Sequence, residues 1–199
     1  MKRPADAMPR IDAVVIGTSA GGVEALSRIL PSIPASMKAA ILVVIHVPRE
    51  RPSLLSELFR AKCQMMVEEA IDKADIESGH IYFAPPDYHL LVDSGPQIAL
   101  SVDDLVQYSR PSIDVLFESA ADVYGARLLG VLLTGGNEDG AAGLAYIARC
   151  GGTTVLQDPA EAVAAAMPEG ALKVMKPTHV LHLDGIRDLL MDLATKTVR

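Results

Sequence analysis

The chain alternates short runs that have a continuous apolar centre with longer stretches in which apolar residues recur every three or four positions. Residues 12–16 (DAVVI), Ala40 to Ile45 (AILVVI), 127–134 (RLLGVLLT), 153–158 (TTVLQD) and 179–183 (HVLHL) are runs of the first kind. Runs of this length between turn residues predict strands buried on both faces. The stretches between them have helical spacing. Val23, Leu26, Ile29 and Leu30 share one helical face, which the PSIP segment at 31–34 closes. Residues 54–62 (LLSELFRAK) and 141–149 read as helices. Residues 110–125 place Pro111 at the start of an amphipathic helix carrying Ile113, Leu116, Phe117, Ala120 and Val123. Two short helices are expected after Asp158, and a last amphipathic helix after Leu183. In the middle, 80–85 (HIYFAP) reads as a strand, and YHLLVD and QIALSV flank SGP (94–96) as a β-hairpin at a sheet edge or over the site. The alternation predicts an α/β fold: a doubly wound, mostly parallel sheet with helices on both faces and one antiparallel β-hairpin.

Composition narrows this picture. The 199 residues suit one domain, expected over residues 11–199 behind a disordered tail at 1–10. Half the residues are hydrophobic and 22% are charged, which is a globular balance. Aromatics are 4%, so the core must be built mainly from aliphatic side chains, as buried parallel sheets are. A net charge of -7 with no basic cluster argues against nucleic-acid binding. The longest apolar run, 39–45, is far too short for membrane insertion, and the N-terminus lacks the apolar segment of a secretory signal. Cys63 and Cys150 have no paired spacing and read as reduced thiols. The expected location is the cytoplasm.

In open sheets of this kind ligands sit at the carboxyl ends of the strands. Three polar stretches leave strands at such ends: GTSAGG (17–22), HVPRERP (46–52) and TGGNEDG (134–140). The first fails the dinucleotide fingerprint, because Ser19 replaces its second glycine, and fails the P-loop pattern, because no lysine follows Gly22. Phosphate binding at the helix N-terminus is the lesser reading. Gly17 to Gly21 does satisfy G-x-S-x-G, a turn that projects a serine nucleophile, although Ser19 as a plain helix cap fits the same residues. A serine nucleophile needs a base and the base needs an orienting carboxylate. His46 closes the second buried strand, where a hydrogen-bonded core histidine is the plain alternative. Asp139 lies in the third loop beside Gly140. Capping the following helix is its plain role, and Glu138 and Asn137 compete with it as orienter. The order Ser19, His46, Asp139 differs from that of the α/β-hydrolases, so any shared chemistry would stand on a differently wound sheet.

Other polar residues carry less. His179 and His182, near Asp184, lie three apart on a strand and point to opposite faces, so no metal site is expected. His80 and His89 flank the hairpin as surface or structural residues. Arg110 could position a substrate carboxylate or simply face solvent. Asp158 and Glu161 read as helix caps.

Six segments in order, GTSAGG, IHVP, IYFAPPDYHLLV, RPSIDVLFESAA, VLLTGGNEDGAAGL and QDPAEAVAAAMPEGAL, resemble the catalytic domain of the CheB-type chemotaxis protein-glutamate methylesterases. The resemblance runs from about Ile11 to Leu183. It implies hydrolysis of glutamate γ-methyl esters on the cytoplasmic helices of methylated chemoreceptors, with methanol as product and glutamine deamidation as a second activity. It implies a triad on Ser19, His46 and Asp139 with neither metal nor cofactor. Oxyanion donors are expected around Ala20 and Gly21 and in the Gly135–Gly136 loop, with Met167 at the cleft wall or in the core. Two departures stand out. Gly136 and Asn137 occupy positions where the family often has methionine and glycine. Only about ten residues precede the first strand, too few for the receiver domain that chemotaxis members usually carry. The expectation is therefore a stand-alone enzyme or a piece of a longer protein such as a methylesterase–methyltransferase fusion, with a separate receiver protein as a candidate partner. A module that binds receptor helices without turnover is the alternative that Gly136 suggests, and a nucleotide-binding regulator a third.

Overall fold

In a computed structural model the described residues are 10–46 and 54–195. All of the expected tail at 1–10 except Arg10, and all of the HVPRERP stretch beyond His46, lie outside them. Seven strands form one parallel sheet: β1 (Ala13–Thr18), β2 (Ala40–Ile45), β3 (Met66–Glu69), β4 (His80–Phe83), β7 (Leu128–Leu132), β8 (Thr153–Gln157) and β9 (His179–Leu181), in the order β3-β4-β2-β1-β7-β8-β9. The reversal of strand order falls around β1, which pairs with β2 on one side and β7 on the other. The hairpin strands β5 (His89–Asp93) and β6 (Gln97–Ser101) form a separate two-stranded antiparallel sheet.

β1 and β2 are buried at every position, and each feeds two cores by alternation. On one face Val14, Ile16, Ile41 and Val43 pack under α1 (Gly22–Ile29), α2 (Leu55–Arg60) and α6 (Leu183–Thr195). On the other Ala13, Val15, Leu42 and Val44 pack under α3 (Ile113–Tyr124), α4 (Ala141–Arg149), α5 (Ala166–Val174) and the hairpin. The hairpin lies outside α3, where the Val92 N–H donates to Ser119 Oγ at 3.1 Å. It is thus an outer layer on one face, and it does not extend the main sheet.

Several expectations need correction. β3 was not anticipated: Met66, Glu68 and Glu69 are exposed at the sheet edge and only Val67 points inward, so the segment lacks an apolar run. One helix follows β8 instead of two, because residues 159–165 form turns. Val23 is 40% exposed and lies off the buried stripe of α1, which Ala25 fills instead. Cys63 and Cys150, by contrast, are free thiols as expected. Burial pushes the Cys63 thiol up to about 11, so it is a protonated packing residue at neutral pH.

The N-terminus of α3 reaches the carboxyl end of the sheet because glycines let it. A Cβ on Gly17 would lie 2.2 Å from Ile113 Cγ2, and one on Gly140 would lie 2.6 Å from the same atom. Ile113 therefore wedges between β1 and the loop after β7. Gly17→Ala should overpack this wedge and cost about 1–3 kcal/mol. The expected readout is a lower urea midpoint with an unchanged slope; an unchanged midpoint would show that the wedge yields freely.

Candidate active site

The chain leaves β1, β2 and β7 at the same carboxyl end of the sheet, and of the stretch after β2 the structure describes His46. In the parallel register Thr18 pairs with Ile45, so Ser19 and His46 leave neighbouring strands side by side. The His46 amide still donates to Thr18 O at 3.2 Å, and the Ser19 amide donates to Thr134 O at 2.9 Å. Backbone pairing thus fixes both residues before their side chains act. After Ser19 the chain turns sharply: the Gly22 N–H donates back to Ser19 O at 2.8 Å, and Gly21 takes a φ of 80°, a left-handed conformation suited to glycine. α1 begins at once, with no side chain capping it. Ser19 is partly buried and Ala20 exposed.

His46 Nε2 lies 2.8 Å from Asp139 Oδ2. Asp139 is fully buried and acceptor-only when ionised, so the ring donates through Nε2–H and the Nδ1 lone pair is left for another proton. Relative to the usual Ser-His-Asp arrangement the imidazole is turned end for end. Ser19 Oγ makes no hydrogen bond to His46 among the described residues. The histidine side chain is 15% exposed and so reachable from solvent.

The carboxylate of Asp139 is saturated. Oδ1 accepts from Ser112 Oγ at 2.9 Å and from the Asp114 N–H at 3.0 Å. Oδ2 accepts from the Ile113 N–H at 2.8 Å and from His46. Asp139 therefore sits on the N-terminus of α3, not on the helix that follows it, whose N-cap is Gly140. Ser112 is the N-cap of α3 but makes no cap bond to its own helix, because its hydroxyl is given to Asp139. Burial pushes the Asp139 carboxyl up, yet the bonds from His46, Ile113 and Asp114 outweigh it and hold the group below the ordinary carboxylate range. The competitors are placed elsewhere. Asn137 Oδ1 accepts the Asp139 N–H at 3.3 Å, and Glu138 turns outward to Lys173 at 2.9 Å.

The expected oxyanion donors divide. The Ala20 and Gly21 amides have no backbone partner among the described residues, and neither has the exposed Gly136. The Gly135 N–H is not free: it donates to Ala164 O at 3.0 Å. Met167, expected at the cleft wall or in the core, lies in the core. It is fully buried beneath Gly135, where a Cβ would come within 2.3 Å of its Cε. A Cβ on Gly136 would meet nothing within 4 Å. Thr134 ties the loops together, with its hydroxyl donating to Ala20 O at 2.8 Å and accepting from the Ala164 N–H at 2.9 Å.

The remaining candidates are structural. His89 is buried, with Nε2 3.1 Å from Asp104 O and Nδ1 accepting from the Ser112 N–H at 3.2 Å. His80 is partly exposed and stacks on Tyr82. Arg110 is spent on Asp87 and on the carbonyls of Val102 and Asp103. Asp158 accepts the Ala160 N–H, and Glu161 accepts the Leu183 N–H at 2.6 Å, at the start of α6. His182 stands near both of these acids, 3.8 Å from Asp158 and 3.5 Å from Glu161. Among the described residues no group of three or more His, Cys, Asp or Glu side chains could hold a metal, His179, His182 and Asp184 included. No helix there is long and apolar enough to cross a membrane.

Fold and site together define a doubly wound α/β protein with a serine, a histidine and a buried carboxylate gathered at its topological switch point. A family model described as CheB methylesterase matches residues 14–190, and the chain belongs to that family. A putative protein-glutamate methylesterase/protein-glutamine glutaminase of Leptospira interrogans is 42% identical over 182 residues, covering 92% of this chain and 94% of that one. A protein-glutamate methylesterase/protein-glutamine glutaminase of Syntrophus aciditrophicus is 36% identical, and there the match covers 88% of this chain but 52% of the relative. The crystal structure of the Thermotoga maritima CheB methylesterase catalytic domain superposes with a TM-score of 0.87 at 30% identity, covering 93% of this chain and all of that one.

Asp114, next to the site, behaves oppositely to Asp139. Burial, and then the charge of Asp139, push its carboxyl up to about 6, against the pull of the Gly143 N–H. The folded state therefore holds this proton more tightly than the unfolded chain, whose carboxylates titrate near about 4. Stability from this group should fall as pH rises from about 4 to about 6. Asp114→Asn removes that fall. Its urea midpoint should lose less than the parent's between about pH 4 and about pH 7. Equal losses would place the Asp114 titration at its ordinary value.

Proposed function

We propose that this chain is a protein-glutamate methylesterase that cleaves glutamate γ-methyl esters on the cytoplasmic helices of methyl-accepting chemoreceptors, and so acts in the cytoplasm. Ser19 is the nucleophile, His46 the base and Asp139 its orienter. The observation that carries this reading is the His46 Nε2–Asp139 hydrogen bond beside Ser19, in a chain of this family. Nδ1 of His46 takes the Ser19 hydroxyl proton as Oγ bonds to the ester carbonyl carbon. The tetrahedral oxyanion is met by the amides of Ala20, Gly21 and Gly136, which have no backbone partner among the described residues, aided by the α1 N-terminus. Collapse breaks the carbon–methoxy bond, and Nδ1–H protonates the leaving oxygen to give methanol. Water repeats the cycle on the acyl-enzyme and releases the glutamate carboxylate. The Ser19–His46 hydrogen bond is one that the substrate complex has to close. Attack on a glutamine amide by the same route would release ammonia, in line with the second activity in the relatives' names.

Ser19→Ala should lower methanol release from a methylated receptor by about 10⁴-fold or more, with the fold intact. Full activity in this variant would refute the nucleophile assignment. Gly136 is exposed, has open space around it and needs no left-handed backbone, so Gly136→Met should fold normally. Because it adds apolar contact without touching the triad, it should change KM by about three- to tenfold and kcat by less than about twofold. A gain in kcat above about 100-fold would instead favour a wild-type chain that binds receptors without effective turnover.

A further inference from the structure

Behind the carboxylate lies a chain of hydrogen-bonded groups, buried at His89 and Ser112, that the proposed chemistry leaves unused. It runs from Asp104 O to His89 Nε2 (3.1 Å), from His89 Nδ1 to the Ser112 N–H (3.2 Å), and from Ser112 Oγ to Asp139 Oδ1 (2.9 Å). A carbonyl only accepts and an amide N–H only donates, so His89 is fixed as the neutral tautomer with its proton on Nε2. His89 is 2% exposed and Ser112 fully buried, so water cannot replace either partner. Three of the four donors that reach Asp139 sit on consecutive residues, Ser112, Ile113 and Asp114. Whatever sets the orientation of the Ser112 peptide sets all three together.

We propose that His89 and Ser112 are positioning residues for the Asp139–His46 pair, with the β5–β6 hairpin presenting His89 as the acceptor that locks the first turn of α3. This rests on the triad reading above. Without an acceptor at Nδ1 the Ser112 N–H is left buried and unsatisfied, a penalty the turn can relieve only by rotating. Rotation moves the donors off Asp139, and Asp139 then holds the His46 ring less firmly. The hairpin would thus act on catalysis without touching substrate.

The test uses Ser112→Ala, His89→Leu and His89→Gln in the full chain, with methanol release from a methylated receptor as one readout. The second is the downfield proton resonance of His46 Nε2–H, which reports on the bond to Asp139. Ser112→Ala and His89→Leu should lower kcat on the order of 10-fold, leave KM within about twofold, and shift or broaden the resonance. His89→Gln, which keeps an acceptor and a donor, should recover most of the loss. In an Asp139→Ala background neither loss should recur, since both act through that carboxylate. Losses that persist there, or wild-type kcat with an unmoved resonance in Ser112→Ala, would overturn the proposal. If the parent chain releases no methanol, the esterase reading fails. The resonance then still decides the positioning claim.

Discussion

A carboxylate with no exposure to water must find its solvation inside the protein, and Asp139 finds four partners there. Three of them come from the first turn of α3, where the open amides and the helix dipole favour an anion. Only the fourth, His46, comes from the site itself. The carboxylate is therefore held by the scaffold and lends one hydrogen bond outward. That explains why it stays ionised despite burial, and why it can fix the tautomer of a histidine on another strand.

Much of the local sequence follows from this seat. α3 must bring its N-terminus between β1 and the loop after β7. That approach leaves no room for a Cβ at Gly17 or Gly140. A little further on, Gly143 allows α3 and α4 to close, since a Cβ there would lie 2.7 Å from Phe117 Cβ. The glycines of the GTSAGG and TGGNEDG stretches thus have distinct tasks. Gly21 bends the chain after Ser19, Gly135 makes room for Met167, and Gly136 stands open to solvent. The net result is a rigid floor beneath a partly exposed serine and histidine.

Residues whose role depends on their own segment were readable in the sequence. β2 and α4 fall where the apolar pattern puts them, and Ser19 and His46 at strand ends follow from buried strands meeting polar loops. Residues whose role depends on a distant partner were not readable. Ser112 has every local mark of a helix cap, yet it turns its hydroxyl to an aspartate 27 residues away. Asp139 precedes a helix it does not cap. His89 alternates correctly within its strand, and nothing near it names Asp104 and Ser112 as its partners. β3 was invisible because an edge strand with one inward side chain carries almost no periodicity.

The sequence by itself determined the α/β architecture, the two-faced burial of the central strands and the strand ends at which Ser19, His46 and the loop of Asp139 begin. These are consequences of hydrophobic period and turn chemistry, which act over a few residues. Only the tertiary structure decided which carboxylate the histidine meets, which ring nitrogen it turns to that carboxylate, and which loop amides are already paired, as that of Gly135 is. Those outcomes depend on hydrogen-bond saturation among groups far apart in the chain. A donor given to one partner is withdrawn from every other, and that accounting closes only when the whole set is in place.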